Sequence, residues 1–345
     1  MRIAIMGAGS LGTIIGAFLS KGKEHVELID VNKEHVKALN ENGAAVIGTI
    51  KENVPVKALT PEEMTGAYDL VLLLTKQVFN KEVLANLKPF LTENSIVLSL
   101  QNGVPEESLV SSLGENRVIG GSVEFGATWE KPGVSALTTA VDSFKNNAFQ
   151  IGELDGTITE RINNLKEVLD LVGGTVISTN LVGTKWSKLL INVAMSGMSA
   201  ALGCTYGDIL KNEIAVTSAV MLADETLQAG SASGVEFTEL AGIHVGVFKL
   251  HEDKSNLPNV ISLAKKIFEP QALLKASMLQ DLEKQRQTEI DFINGVVTAK
   301  GKETGIRTPF NDLVVRLVKQ AEDEKIVPSF DENIGFFKEL IEKEI

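Results

Sequence analysis

Residues 1–34 read MRIAIMGAGSLGTIIGAFLSKGKEHVELIDVNKE, and this stretch decides the fold. The apolar run IAIM enters GAGSLG directly, a helical period follows, and HVELID resumes an extended apolar pattern. A GxGxxG turn between a strand and a helix is the signature of a dinucleotide site, and that context gives the spacing its meaning. Gly7 permits a tight turn, Gly9 lets the backbone approach a pyrophosphate, and Gly12 lets the helix pack closely on the strand. Ala8, Ser10 and Leu11 complete the turn and helix start whose amides hold phosphate. Asp30 lies 18 residues beyond Gly12, at the end of the second strand. A carboxylate there accepts hydrogen bonds from the adenine ribose and repels a 2′-phosphate, which favours NAD over NADP. The plainer alternative is that Asp30 only caps the helix starting near Lys33.

Outward from this unit, the first half alternates apolar runs with amphipathic segments. AAVIG, DLVLLLT and SIVLSLQN read as further strands, and residues 11–21 and 33–41 as helices. Runs apolar on both faces suit central parallel strands covered by helices, so the fold class is α/β with a doubly wound sheet. Strand-like pieces continue through RVIGGSVEFGATWE, GVSALTTA and AFQIGEL, then a helix over residues 159–172 and a last strand at GTVIST. Beyond residue 179 the pattern is helical to the end of the chain. The expected domains are therefore 1–179, which binds the nucleotide, and 180–345, which is all-α. The segment 234–269 is less regular and carries no functional reading.

At 345 residues and 44% hydrophobic, the chain has material for two cores. A net charge of -12 disfavours a broad nucleic-acid footprint. Cys204 is the single cysteine, which excludes an internal disulfide, disfavours a cysteine zinc site and suits a reducing cytoplasm. The glycine loop follows the first strand so early that no leader peptide is expected ahead of it. Residues 189–207 carry no charge, yet Asn192, Ser196, Ser199, Thr205 and three glycines make a buried helix the better reading than a membrane span.

A bound nicotinamide needs a partner that protonates the substrate carbonyl as hydride arrives. His25, His35, His244 and His251 lie where structural or exposed roles are expected, so lysine is the next candidate. Lys76 follows LVLLLT and Asn102 follows IVLSLQ, at strand carboxyl ends that border the ligand crevice of a doubly wound sheet. Lys188 and Asn192 are four residues apart on one helix face, with Ser196 a further turn along. A polar stripe in an otherwise uncharged helix is costly unless it lines a site. Ser277 and Glu289 lie in SMLQDLEKQRQTEIDFINGVV, which taken alone reads as an ordinary exposed helix.

In order, GAGSLG, TKQ, QNG, KWSKLLIN, SMLQDLEKQRQTEIDFING and GIRTPFN give a chain that resembles the 2-dehydropantoate 2-reductase (ketopantoate reductase) family over nearly its full length. The resemblance implies an N-terminal Rossmann domain and an all-α C-terminal domain of the 6-phosphogluconate dehydrogenase type, with the active site in the cleft between them. It implies NAD(P)H-dependent reduction of a 2-oxo acid, 2-dehydropantoate, to the D-2-hydroxy acid (R)-pantoate, in the cytoplasm and on the way to pantothenate. Carried over by position, it makes Lys188 the general acid, Glu289 the carboxylate that orients it, Asn192 and Ser277 substrate ligands, and Lys76 and Asn102 neighbours of nicotinamide and substrate. A lysine near its reference pKa of about 10.4 carries the proton at neutral pH, so this chemistry needs no metal. Two positions depart from the family: Ser196 replaces a second substrate-gripping asparagine, and Asp30 stands where NADPH-dependent relatives commonly carry a basic or neutral residue. Both departures point to an NAD-dependent D-2-hydroxy acid dehydrogenase of the D-mandelate type, acting on branched or aromatic 2-oxo acids. A catalytically silent dinucleotide sensor is the alternative from another class. The partners expected are a small 2-oxo acid and a second copy of the chain in a homodimer, with no nucleic acid and no membrane.

Overall fold

In the computed structural model, which describes residues 1–22, 25–240 and 242–345, β1 (Ile3–Met6) is buried along its length and turns through Gly7 into α1 (Ser10–Gly22). Next come β2 (Val26–Ile29), α2 (Lys33–Asn42), β3 (Ala44–Gly48), β4 (Glu52–Val54), β5 (Lys57–Leu59), β6 (Tyr68–Leu73), α3 (Asn80–Leu87), β7 (Leu91–Ser99), α4 (Glu106–Leu113) and β8 (Val118–Val123). Then β9 (Ala127–Lys131), β10 (Val134–Leu137), α5 (Val141–Asn146), β11 (Phe149–Gly152), α6 (Glu160–Leu169) and β12 (Thr175–Ile177) complete the first of two units, Met1–Leu181. The main sheet runs β12-β11-β8-β7-β6-β1-β2-β5, parallel from β8 to β5. β1 is flanked by β2 on one side and β6 on the other, so the strand order reverses direction at β1. The carboxyl ends there form the crevice where doubly wound sheets bind ligands.

One strand belongs elsewhere than its sequence suggests. β3, the AAVIG run, joins a separate sheet of order β4-β3-β10-β9. Its apolar residues suit a central strand, but only one face is covered: Ala44 and Val46 are buried and Ile47 is exposed. That face packs toward α1. β4 and β5 have three residues each and flank Pro55, too short for alternation to show.

The second unit, Val182–Ile345, is helical. α7 (Leu181–Ile191) passes without a break into a π turn (Asn192–Gly197) and then α8 (Met198–Leu202), which ends at left-handed Gly203. α9 (Tyr206–Lys211), α10 (Glu213–Ala232), α11 (Leu257–Phe268), α12 (Ser277–Glu283), α13 (Asn294–Thr304), α14 (Pro309–Glu324) and α15 (Phe330–Glu344) follow. Residues 189–202 are thus the second half of one continuous helix and 206–207 begin α9, and among the described residues no helix is long and apolar enough to cross a membrane. The irregular segment contains a small hairpin, Glu239–Leu240 with Ile243–His244, ahead of α11. The stretch that reads as one exposed helix from Ser277 is broken instead. Gln285 takes φ 53° and the Arg286 amide returns to Asp281 O at 2.8 Å, closing α12 as a left-handed cap does.

α10 lies at the centre of this unit, and a carboxylate on it caps another helix. Glu225 accepts the Phe310 and Asn311 backbone amides, both at 2.9 Å, and the Asn311 side-chain amide at 2.8 Å. The first turn of α14 therefore finds its acceptor across the core. Burial pushes the Glu225 carboxyl up to about 7 against the pull of these three donors. Between the ordinary value of 4.5 and about 7, the folded chain holds a proton that the unfolded chain has released. Stability from this group is therefore lost as pH rises through that window, by about 3 kcal/mol at most. Denaturant melts of wild type and Glu225→Gln at pH 5 and pH 8 check this: the wild type is expected to lose stability relative to the variant on going to pH 8, and parallel profiles would contradict it.

Candidate functional site

In the nucleotide unit the glycine loop has the shape its sequence requires. Gly7 sits at φ 97°, and a Cβ there would lie 2.9 Å from Thr75 N. A Cβ on Gly12 would lie 2.1 Å from Gly7 O, so only glycine allows α1 to close on the turn. At Gly9 a Cβ would meet nothing within 4 Å, which leaves the backbone open to an approaching group. The first amides of α1, at Ser10, Leu11 and Gly12, have no intrahelical acceptor and carry the positive end of the helix dipole. This combination fits a pyrophosphate.

Asp30 is partly exposed, and it is not the cap of α2. That cap is Asn32, whose Oδ1 accepts the Glu34 and His35 amides at 3.1 Å each. Asp30 Oδ1 accepts the Asn32 amide at 2.9 Å, which fixes the carboxylate and turns its other oxygen away from that bond. Lys76 is half-buried just after β6, and Asn102 is exposed just after β7. Their loops are tied together: Gln77 Nε2 donates to Asn102 O at 2.5 Å, and Gln101 Nε2 donates to Thr75 O at 2.5 Å and Asn80 Oδ1 at 2.7 Å. Gly7 through Gly12, Asp30, Lys76 and Asn102 therefore all lie along the carboxyl edge of β1, β2, β6 and β7.

In the helical unit, Lys188 and Asn192 are partly buried and Ser196 is only 8% exposed. Four residues of an α-helix overshoot a full turn by about 40°, so residues at i, i+4 and i+8 drift around the axis. The π turn over Asn192–Gly197 is wider and closes i→i+5, so four of its residues fall short of a turn. It brings Ser196 back toward the line of Lys188 and Asn192. Ser196 Oγ and the Tyr206 hydroxyl are 2.8 Å apart and buried. One hydroxyl donates to the other, so the pair retains a second O–H to offer. Burial pushes the Tyr206 phenol up, which keeps that hydrogen in place at neutral pH.

The remaining candidates are tethered to the same helix. The Ala276 amide, next to exposed Ser277 at the start of α12, donates to Ser199 Oγ at 3.3 Å. The Tyr206 amide donates to Leu274 O at 3.1 Å. Buried Glu289 precedes a single turn, Ile290–Phe292, that leads into α13. There Asn294 Nδ2 donates to Val193 O in the π turn at 3.3 Å and to Asn311 Oδ1 at 3.0 Å, and Asn311 joins Glu225. Asn294 and Asn311 lie within the ING and TPFN segments, where their supporting role is not readable from spacing, and Tyr206 has no local signal at all. Among the histidines, His25, His244 and His251 are exposed and His35 is buried. Burial raises the Cys204 thiol to about 12, so it is no nucleophile at neutral pH. Among the described residues no group of three or more His, Cys, Asp or Glu is placed to hold a metal ion.

Known proteins resemble both units of the chain. The family model described as ketopantoate reductase PanE/ApbA matches residues 3–155, and its C-terminal counterpart matches residues 180–322. A 2-dehydropantoate 2-reductase of Pyrococcus horikoshii is 30% identical over 324 residues, covering 93% of this chain and 98% of the relative. One from Streptococcus pyogenes serotype M3 is 29% identical over 325 residues, with the same coverage. Among solved structures, D-mandelate dehydrogenase in a ternary complex with NADH and anilino(oxo)acetate superposes with a TM-score of 0.79 at 26% identity, over 94% of this chain and 99% of the other. The PanE/ApbA family ketopantoate reductase from Ralstonia eutropha JMP134 gives the same values. A Rossmann-like unit followed by a helical unit, matched along both by family models and relatives of nearly full coverage, makes this chain a member of the ketopantoate reductase family of oxidoreductases.

Proposed function

We propose that the chain reduces 2-dehydropantoate to (R)-pantoate with a nicotinamide dinucleotide, and that Lys188 is the general acid. The observation that carries this reading is the π turn, which keeps Lys188, Asn192 and Ser196 on one face of a single helix. When bound, the reduced nicotinamide supplies a hydride to C2 of the oxo acid. The amides of Gly9 through Gly12 hold the pyrophosphate, and Asp30 receives the ribose hydroxyls. Lys76 and Asn102 flank the nicotinamide end. The Lys188 ammonium meets the carbonyl oxygen, stabilises the alkoxide as it develops and gives it a proton. Asn192 hydrogen-bonds the substrate oxygens, Ser277 takes the carboxylate, and Glu289 orients Lys188. Residues 1–179 thus serve the cofactor and 180–345 the substrate.

The pair Ser196–Tyr206 supports a hydroxylated substrate. Serine alone is shorter than the asparagine it replaces, but its retained O–H, shared with Tyr206, can meet the C4 hydroxyl of 2-dehydropantoate. A substrate without that hydroxyl leaves a buried donor unpaired, which costs about 1–3 kcal/mol. A second reading, an NAD-linked D-2-hydroxy acid dehydrogenase for bulky 2-oxo acids, is favoured by Asp30 and by the likeness to D-mandelate dehydrogenase.

Steady-state oxidation of NADH and NADPH with 2-dehydropantoate, 2-oxoisovalerate and benzoylformate in parallel separates these readings. The expected outcome is NADH preferred over NADPH, and kcat/KM for 2-dehydropantoate exceeding that for 2-oxoisovalerate by about tenfold to a hundredfold. Benzoylformate as the best substrate would select the second reading, and cofactor binding without turnover of any oxo acid would leave a silent sensor. Lys188→Ala is expected to lower kcat by about 10²–10⁴-fold with the dissociation constant for the dinucleotide nearly unchanged. A variant of wild-type turnover would remove Lys188 from its role.

A further inference from the structure

His35 is the one buried histidine among the described residues, it lies on α2, and nothing in the reaction described above uses it. Its ring is 1% exposed and hydrogen-bonded at both nitrogens. The Gly133 amide, in the turn between β9 and β10, points at Nδ1 from 3.0 Å. An amide can only donate, so Nδ1 is the acceptor and the ring proton sits on Nε2. Nε2 lies 2.7 Å from Ala8 O and 3.2 Å from Thr13 Oγ1. The Thr13 hydroxyl also donates to Ala8 O, at 2.7 Å. The carbonyl between Gly7 and Gly9 is therefore held from two sides, by α1 and by α2.

The peptide that contains this carbonyl also contains the Gly9 amide. In a trans peptide the C=O and N–H lie in one plane and point in opposite directions. Drawing Ala8 O inward, onto His35 and Thr13, sends Gly9 N–H outward, on the residue where an added Cβ would find open space for 4 Å. The far end of the strut is equally fixed. Gly133 takes φ 77°, its carbonyl accepts the Ala45 amide at 2.8 Å, and a Cβ on it would press on Ala38 of α2 at 3.3 Å. The second sheet thus reaches the glycine loop through one imidazole. We infer that His35 is a positioning residue for the dinucleotide: the neutral ring, hydrogen-bonded between Gly133 N–H and Ala8 C=O, aims the Gly9 amide at the pyrophosphate.

This rests on the loop being a dinucleotide site, so the test begins with wild type. Titration of NADH and NADPH into the full chain, followed by nicotinamide fluorescence, gives a dissociation constant for each variant, and thermal melts establish that each is folded. His35→Leu removes both hydrogen bonds and is expected to weaken NADH binding by at least about tenfold, with kcat at saturating NADH within about twofold and KM for the oxo acid unchanged. His35→Gln keeps a donor and an acceptor on one planar group and is expected to restore most of the affinity. Should the leucine variant fail to fold, Thr13→Val, which removes the other donor to Ala8 O, is expected to weaken NADH binding in the same selective way. A structural role alone would lower the folded fraction and leave the dissociation constant of the folded remainder at the wild-type value. That result, or a glutamine variant as weak as the leucine one, overturns the inference. Failure of wild type to bind either dinucleotide overturns the dinucleotide reading itself, and the role of His35 with it.

Discussion

A buried polar chain ties the π turn after α7 to three other helices. Asn294 on α13 donates to Val193 O inside the π turn, Asn311 on α14 accepts from Asn294, and Glu225 on α10 takes the Asn311 side chain together with the first amides of α14. Four elements that are distant in sequence thereby share one network. Broken at any point, it would leave a buried donor or acceptor without a partner, at about 1–3 kcal/mol for each neutral group. Gly197 belongs to the same arrangement, because a Cβ there would stand 2.6 Å from Asn294 Oδ1. The π turn is a poor helix that persists because its neighbours specify it. Lys188, Asn192 and Ser196 take their common direction from that turn, and the reaction proposed for them depends on it.

The nucleotide unit solves a similar problem differently. Its loop is fixed by close backbone approach at Gly7 and Gly12, and by the imidazole and hydroxyl that hold Ala8 O. The small sheet of β3, β4, β9 and β10 has a reason to exist in this light, since it supplies Gly133 as the outer support of His35. Both units therefore place functional groups on backbone that packing has oriented beforehand. Preorganisation of this kind keeps donors aimed without reorganisation as charge develops.

Much of this was legible in the sequence. GAGSLG between two apolar runs fixes a strand, a turn and a helix because each glycine answers a separate steric demand. The run LVLLLT announces a strand covered on both faces, and β6 is one. AAVIG misleads because Ala45 and Ile47 are apolar without being central, so composition alone cannot tell which sheet it joins. The break after α12 is hidden because Gln285 adopts a left-handed conformation that glycine or asparagine would have advertised. A spacing of four between Lys188, Asn192 and Ser196 suggests a shared face but not the π turn that secures it, and the side chain bonded to that turn, Asn294, lies about a hundred residues later. Tyr206 as the partner of Ser196, and His35 as the partner of Ala8, are likewise long-range pairings with no periodic signature. Asp30 shows the opposite pattern: the choice between cap and ligand group was open in the sequence, and the bonds of Asn32 give the capping role to Asn32.

In the proposed reaction a hydride and a proton reach the two ends of one carbonyl, the proton coming from Lys188. The most direct measurement uses NADH carrying deuterium at both C4 positions with 2-dehydropantoate, followed by mass spectrometry and chiral separation of the product. One deuterium is expected at C2 of a single D-configured 2-hydroxy acid, with the hydroxyl proton exchanging with solvent. A product without deuterium, or with no preference of configuration, would contradict it.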